Sequence, residues 1–302
     1  MRIALTGGTG FVGSTLIDQA LTTGSEVSAL VRRDQEERAD VDWVGGDLGD
    51  KEALRQLVAG TDLVIHVAGL VKAPDKAAFE QGNVTGTLNL IEAARAAGPD
   101  RFIFVSSLTA REPEVSAYGA SKAQAERLVK ASGLDWTIVR PPAVYGPRDT
   151  EMFDLFRAAK WGFVPTPKQG RTSLIHVDDL VRLLLAMPGG GEGITSQTFE
   201  PDDGVVQGWD HHNLALAIGQ ALGKRPSVLG LSRKTIERAA RIDGLLRRGK
   251  ARLTLDRAAY FSHPDWVVSE ENRPPAGIWQ PEIETRSGLA ATAEWYRAQG
   301  WL

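Results

Sequence analysis

Cysteine is absent from the 302 residues, which excludes disulfides, thiolate catalysis and Cys-ligated metal centres. Nowhere do about 18 apolar residues run together, and no apolar signal segment precedes MRIALTGG, so a cytoplasmic protein without a membrane span is expected. Charge of one sign is not in excess either. The formal net charge is −3, which supplies no electrostatic reason to expect nucleic acid or an anionic membrane as partner. A small molecule is the expected partner, and no metal is called for.

What is present is rhythm. Apolar runs at Arg2–Thr6, Glu26–Val31, Trp43–Asp47, Asp62–Val67, Arg101–Ser106 and Trp136–Arg140 alternate with helical patterns at Phe11–Thr22, Lys51–Val58, Lys76–Ala97 and Ser116–Ala131. Strands alternating with helices predict βαβ units with right-handed crossovers. IALTG, DLVIHVAG and RFIFVSS are apolar throughout rather than alternating, as strands covered on both faces should be. The fold class is therefore α/β: a Rossmann-type doubly wound parallel sheet over residues 1–165, followed by a smaller mixed α/β lobe over 166–302, some of which returns to the sheet. The later region carries helical patterns at Asp179–Ala186, His211–Leu222, Ser232–Leu246 and Arg286–Gln299, with a short strand at Ser173–Val177.

The opening TGGTGFVG spaces Gly7, Gly10 and Gly13 by three residues between the first strand and the first helix. Gly7 permits the tight turn, Gly10 lets backbone approach a pyrophosphate, and Gly13 lets the helix pack on the sheet. Phe11, Val12 and Gly13 then offer helix N-terminal N–H groups to the phosphates. Arg32 and Arg33 end the second strand, where a guanidinium grips the 2′-phosphate of NADP. The competing reading makes Asp34 a ribose ligand, and NAD the cofactor. Asp47 and Leu48, in GGDL, stand where an adenine contact or a helix cap would fall. Ala68 and Gly69 end the fourth strand with small residues against which a cofactor could lie, and His66 before them is expected to pack.

Tyr118 and Lys122 lie four residues apart on a predicted helix, hence on one face. A free phenol titrates near about 10, and a neighbouring ammonium is expected to lower that value and fit it for proton transfer. Ser107, ending the fifth strand, can hold the substrate oxygen. From Lys224 to Arg257 the chain is locally basic. It reads as a solvated helical face, with Ile236, Ala240 and the Leu245–Leu246 pair turned to the core, rather than as a membrane or anion contact.

TGGTGFVG, VRR, GDL, NVTGTLNLIEAA, VSS, YGASK, IVRPPAVYGP, SLIHVDDL and AEWYRAQGWL together make the chain resemble an extended or atypical short-chain dehydrogenase/reductase of the epimerase/dehydratase and dihydroflavonol-reductase-like kind. The resemblance implies Ser107, Tyr118 and Lys122 as catalytic triad, Arg140, Pro141 and Val144 of the PPAVYGP loop beside a nicotinamide, and Asn83 near the site. It also implies His176 and Asp178 bordering the substrate, with Asp178–Asp179 equally readable as a helix cap, and a homodimer through Rossmann helices. One departure stands out. The serine–tyrosine segment LTAREPEVSA is short for the extended members, which counts against nucleotide-sugar recognition. Leu108 and Thr109 follow the serine, where a sugar dehydratase of this kind places acids. An NADP-dependent carbonyl reductase or alcohol dehydrogenase is therefore expected. A nucleotide-sugar epimerase or dehydratase and a non-catalytic dinucleotide-binding subunit are the alternatives, and an apolar or aromatic carbonyl compound is the expected substrate class.

Overall fold

The computed structural model describes residues 1–33, 35, 38, 40–99, 101–247 and 253–302; Asp34, Arg248, Lys250 and Arg252 lie outside the described residues. In chain order the elements are β1 (Arg2–Thr6), α1 (Phe11–Thr22), β2 (Glu26–Val31), β3 (Val41–Gly45), α2 (Lys51–Val58), β4 (Leu63–His66), α3 (Lys76–Phe79), α4 (Gly86–Ala97), β5 (Arg101–Val105), α5 (Ala117–Lys130) and β6 (Asp135–Val139). They continue with β7 (Ala143–Tyr145), α6 (Phe153–Lys160), β8 (Phe163–Pro167), β9 (Arg171–Thr172), β10 (Leu174–His176), α7 (Val177–Ala186), β11 (Gln197–Phe199), β12 (Trp209–Asp210), α8 (His211–Ala221), β13 (Ser227–Leu231), α9 (Arg233–Arg247), α10 (Leu255–Phe261), β14 (Asp265–Trp266) and α11 (Thr285–Ala298).

Seven strands form one sheet in the order β11-β6-β5-β4-β1-β2-β3. Every pairing in it is parallel, which is the doubly wound Rossmann arrangement. The chain builds outward from β1 in one direction and then from β4 in the other, so the order reverses at β1/β4, where such sheets bind ligands. Register aligns Thr6 with His66 and His66 with Phe104, bringing the carboxyl ends of β1, β4 and β5 side by side. Whatever follows those strands is thereby gathered at one edge: the glycine turn, Ala68–Gly69 and Ser107. The centre of the sheet is dry because β4 and β5 are buried along their whole length; Leu54, Leu57, Val64, Leu90, Phe102, Phe104 and Ile138 belong to one buried cluster, each worth about 1.5–3 kcal/mol of transfer free energy.

The chain divides into two compact units. One comprises Met1–Pro141, Leu180–Glu200 and Pro274–Gln280, the other Pro142–Asp179, Pro201–Arg273 and Pro281–Leu302. The first boundary thus falls at Pro141 rather than near residue 165. After β6 the chain leaves the sheet, and β7 pairs with β10 instead. The return to the sheet is made by β11, parallel to β6. The second unit has its own core around Tyr145, Phe156, Leu174, Ile218, Leu289 and Tyr296.

Two local expectations need correcting. The helix expected over Lys76–Ala97 contains a wide π turn at Glu80–Thr85, and such turns commonly mark functional positions. The Leu245–Leu246 pair does not face the core: α9 buries only Ile236 and Ala240, and both leucines are 78 % exposed.

Candidate active site

The first unit collects the expected cofactor residues around the end of β1. Gly7 takes φ +82°, and a Cβ there would stand 2.8 Å from the Ala68 nitrogen. At Gly13 a Cβ would fall 2.1 Å from the Gly7 carbonyl oxygen, so no other residue lets α1 start this close to the strand. Gly10 is the N-cap of α1 and offers no side chain to it, leaving the N–H groups of Phe11, Val12 and Gly13 without intrahelical partners. Bare glycine backbone leading into an uncapped helix N-terminus is a cradle suited to a diphosphate.

His66 acts as the strut behind the neighbouring strand end. Thr87 donates its hydroxyl to the Asn83 carbonyl (2.6 Å) and therefore accepts from His66 Nε2 (2.9 Å), leaving Nδ1 to accept from the Thr6 hydroxyl (2.6 Å). The Thr6 oxygen in turn accepts from the Ala68 N–H at 3.3 Å. Burial, with the Lys122 charge nearby, pulls the imidazole down to about 3, so it stays neutral and fixes the Ala68–Gly69 backbone. A Cβ on Gly69 would lie 3.4 Å from Asn83 Oδ1 and 3.6 Å from Lys122 Nζ, which leaves the space beside that amine open.

Asn83 sits in the π turn. Its Oδ1 accepts from the Leu70 N–H (2.7 Å), while Nδ2 donates to the Leu70 carbonyl (3.0 Å) and to Ser121 Oγ (2.9 Å). Ser121 donates to the Tyr118 carbonyl at 2.7 Å, so the loop after β4 is tied to the helix bearing the tyrosine.

That helix, α5, is capped by Ser116, whose Oγ accepts from the Gly119 N–H at 3.0 Å. A Cβ on Gly119 would come 2.6 Å from the Thr109 carbonyl oxygen. Glycine here lets α5 press against the single 3-10 turn Leu108–Arg111 that follows β5, and this approach brings Tyr118 to Ser107. The Tyr118 hydroxyl is hydrogen-bonded to the Ser107 side chain, and its ring packs against Phe79 at 6.0 Å between centroids. Ser107 Oγ accepts from the Thr109 hydroxyl (2.9 Å) and from the Thr109 N–H (3.3 Å), which leaves its own proton to be donated. Pro141 accepts the Leu108 N–H through its carbonyl at 3.0 Å and so anchors the same turn.

Lys122, buried, donates to the Val105 carbonyl (2.8 Å) and lies 4.3 Å over the Phe104 ring. Burial brings its ammonium down to about 7, against the upward pull of Glu126 one turn further on. Tyr118 departs from expectation. Burial raises the phenol above its ordinary value, and only the Ser107 hydrogen bond opposes this; Lys122 does not lower it.

Beneath the pair lies a charge cluster that spacing arguments do not reveal. Arg140 grips buried Glu126 through both carboxylate oxygens (2.9 and 2.7 Å) and Glu200 at 3.2 Å. Ser106 donates to Glu126 at 2.6 Å, and Arg111 stands 3.8 Å from Glu200. The Arg140 guanidinium, which the resemblance puts beside a nicotinamide, is thus committed to two carboxylates. The only sequence signal is weak: Glu126 continues the four-residue spacing of Tyr118 and Lys122.

The remaining expected residues have other surroundings. Arg32 and Arg33 are exposed at the end of β2, with no ion pair among the described residues. Asp47 is exposed and accepts from the Gly49 N–H at 2.7 Å. The cap of α2 is Asp50, not Asp47. Leu48 accepts from Asn89 Nδ2 through its carbonyl at 2.8 Å, and its side chain fills the space a Gly86 Cβ would take. Val144, His176 and Asp178 belong to the second unit. There Val144 pairs with Ile175, and His176 stacks edge-on to Tyr145 at 5.1 Å while accepting from the Asp178 N–H at 3.2 Å. Asp179 accepts from the N–H groups of Glu282 and Ile283, so it ties down a distant segment. No cluster of metal-ligating side chains occurs among the described residues.

Fold and site together define a dinucleotide-binding oxidoreductase, and the chain belongs to the NAD dependent epimerase/dehydratase family, whose pattern matches residues 3–193. It is 37 % identical over 312 aligned positions to the ceramide reductase of Caulobacter vibrioides, covering 99 % of this chain and 96 % of that one. It is also 32 % identical over 222 positions to a 4-hydroxy-2-methyl-3-oxo-4-farnesyl-3,4-dihydroquinoline-1-oxide ketoreductase of Stigmatella aurantiaca, covering 64 % of this chain and 66 % of that protein. In fold it is similar to MoeE5 in complex with UDP-glucose and NAD, with a TM-score of 0.77 over 99 % of both chains at 23 % identity.

Proposed function

We propose that the chain is an NADP-dependent reductase that interconverts a ketone and a secondary alcohol on a substrate carrying a long hydrocarbon chain. The observation that carries this reading is the Tyr118 hydroxyl hydrogen-bonded to Ser107, with Lys122 one helical turn further along α5. The similarity to two proteins named as reductases, one of ceramide and one of a farnesyl-bearing ketone, supports the substrate class.

The nicotinamide, when bound, supplies the hydride to the carbonyl carbon or takes it from the alcohol. Every other task falls to side chains of the chain. Ser107, its oxygen occupied by the two Thr109 donors, presents its proton to the substrate oxygen. Tyr118 releases its proton to that oxygen as the carbonyl bond opens and recovers one from solvent. Lys122, whose amine would lie 3.6 Å from a Cβ on Gly69, holds ribose hydroxyls in this reading. Arg32, exposed and free of carboxylate partners among the described residues, supplies the bidentate donor that favours NADP over NAD.

Replacing the phenol tests the assignment. Tyr118→Phe should lower kcat at least about a hundredfold with cofactor affinity nearly unchanged, the usual cost of removing an acid/base group. Turnover at the wild-type rate would remove Tyr118 from the chemistry.

A further inference from the structure

Of the fifteen residues of α9, only Ile236 and Ala240 are buried, against Ala258 of α10 with Leu231 and Leu253 alongside. The remainder of the helix is set by its period of about 100° per residue. Opposite Ile236, a sector of about 140° holds Arg241, Lys234, Leu245, Arg238, Ile242, Thr235 and Leu246. Ile242 is 57 % exposed, and Leu245 and Leu246 are each 78 % exposed. The two acids of the helix are not on this face. Glu237 pairs with Arg233 at 2.8 Å on one flank, and Asp243 with Arg247 at 2.9 Å on the side of buried Ile236. Lys234, Arg238 and Arg241 have no ion pair among the described residues. The face thus carries three cations, three large aliphatic side chains and no carboxylate, on a chain whose net charge is −3.

Single exposed aliphatic side chains need no explanation, but three on one helix face (Ile242, Leu245 and Leu246), interleaved with bases that have no ion pair among the described residues, do. Water serves the bases and not the leucines. A nucleic acid would serve the bases and give the leucines nothing apolar to enter. An anionic phospholipid surface offers both: negative headgroups for Lys234, Arg238 and Arg241, and the acyl boundary for Ile242, Leu245 and Leu246. We infer that α9 is a membrane-docking helix that seats the second unit on anionic lipid. This rests on the helix alone. It does not require the reductase reading, although an enzyme taking long-chain substrates would meet them at such a surface.

Co-sedimentation of the full chain with vesicles tests it. The protein should pellet with vesicles of phosphatidylcholine and phosphatidylglycerol, and not with phosphatidylcholine alone. Affinity should fall at least about tenfold in 1 M salt, where screening acts over about 3 Å. Leu245→Ser/Leu246→Ser and Arg238→Glu/Arg241→Glu should each weaken binding at least about tenfold. All four positions are exposed, so NADPH affinity and turnover of a water-soluble ketone should be unchanged, which separates this result from any failure of the catalytic assignment. Absence of binding to anionic vesicles, equal binding to neutral ones, or variants that bind as the wild type does would overturn the inference. So would a wild-type dimer in sedimentation equilibrium that both variants dissolve, since the face would then be covered by a second copy of the chain.

Discussion

Lys122 shows how one buried group makes stability depend on pH. Its folded value, about 7, lies below its ordinary 10.5 because burial disfavours the ammonium. Between those two values the unfolded chain holds a proton that the folded chain has released, so stability rises with pH across that window and the desolvation cost is felt in full below about 7. The slope for one proton is about 1.4 kcal/mol per pH unit. Urea unfolding of the wild type and of Lys122→Met at pH 7, 8 and 9 should show their difference moving in favour of the wild type as pH rises. A difference that stays flat would mean that Lys122 keeps an ordinary value. Sequence alone gave the opposite emphasis, with an ammonium lowering the phenol. Spacing can place two side chains on one face, but it cannot weigh the desolvation of either.

The next scale is that of α5 against the turn after β5. Propensity predicts that Gly119→Ala, in the first turn of α5, stabilises the helix by up to about 1 kcal/mol. Tertiary packing predicts the reverse, because the added carbon meets the Thr109 carbonyl at 2.6 Å. We expect a lowered Tm, a loss of turnover of at least about tenfold as Tyr118 is displaced from Ser107, and a smaller change in NADPH affinity. Thermal melts with steady-state kinetics decide between the two effects; a more stable and fully active variant would show that the contact is not limiting. The glycine in YGASK is plain in the sequence, but its reason is not, since Thr109 lies ten residues away on another element. The π turn at Glu80–Thr85 is hidden for the same cause. Lys76–Ala97 keeps helical periodicity throughout, and only the demand of Leu70 and Ser121 on Asn83 shows why the helix widens there.

Across the whole molecule, cofactor choice becomes a stability measurement. A ligand present at a hundred times its Kd stabilises the folded state by about 2.7 kcal/mol. NADPH should therefore raise the melting temperature by several degrees, and NADH at the same concentration should raise it less. Arg32→Ala should bring the NADPH shift down to the NADH level. Equal shifts from both cofactors in the wild type would count against NADP preference and return attention to the second strand.

The alternation of strands and helices, the glycine turn, and the placing of Tyr118 and Lys122 on one helical turn were determined by the sequence itself, because each follows from spacings of a few residues and from apolar runs that only a covered parallel sheet can bury. Tertiary structure alone decided which charges are matched and which apolar residues stay wet. Arg140 meets Glu126 and Glu200 across fourteen and sixty residues of chain, the phenol is raised rather than lowered, and Leu245 and Leu246 face outward. Burial and long-range partnership belong to the folded arrangement, and no local pattern encodes them.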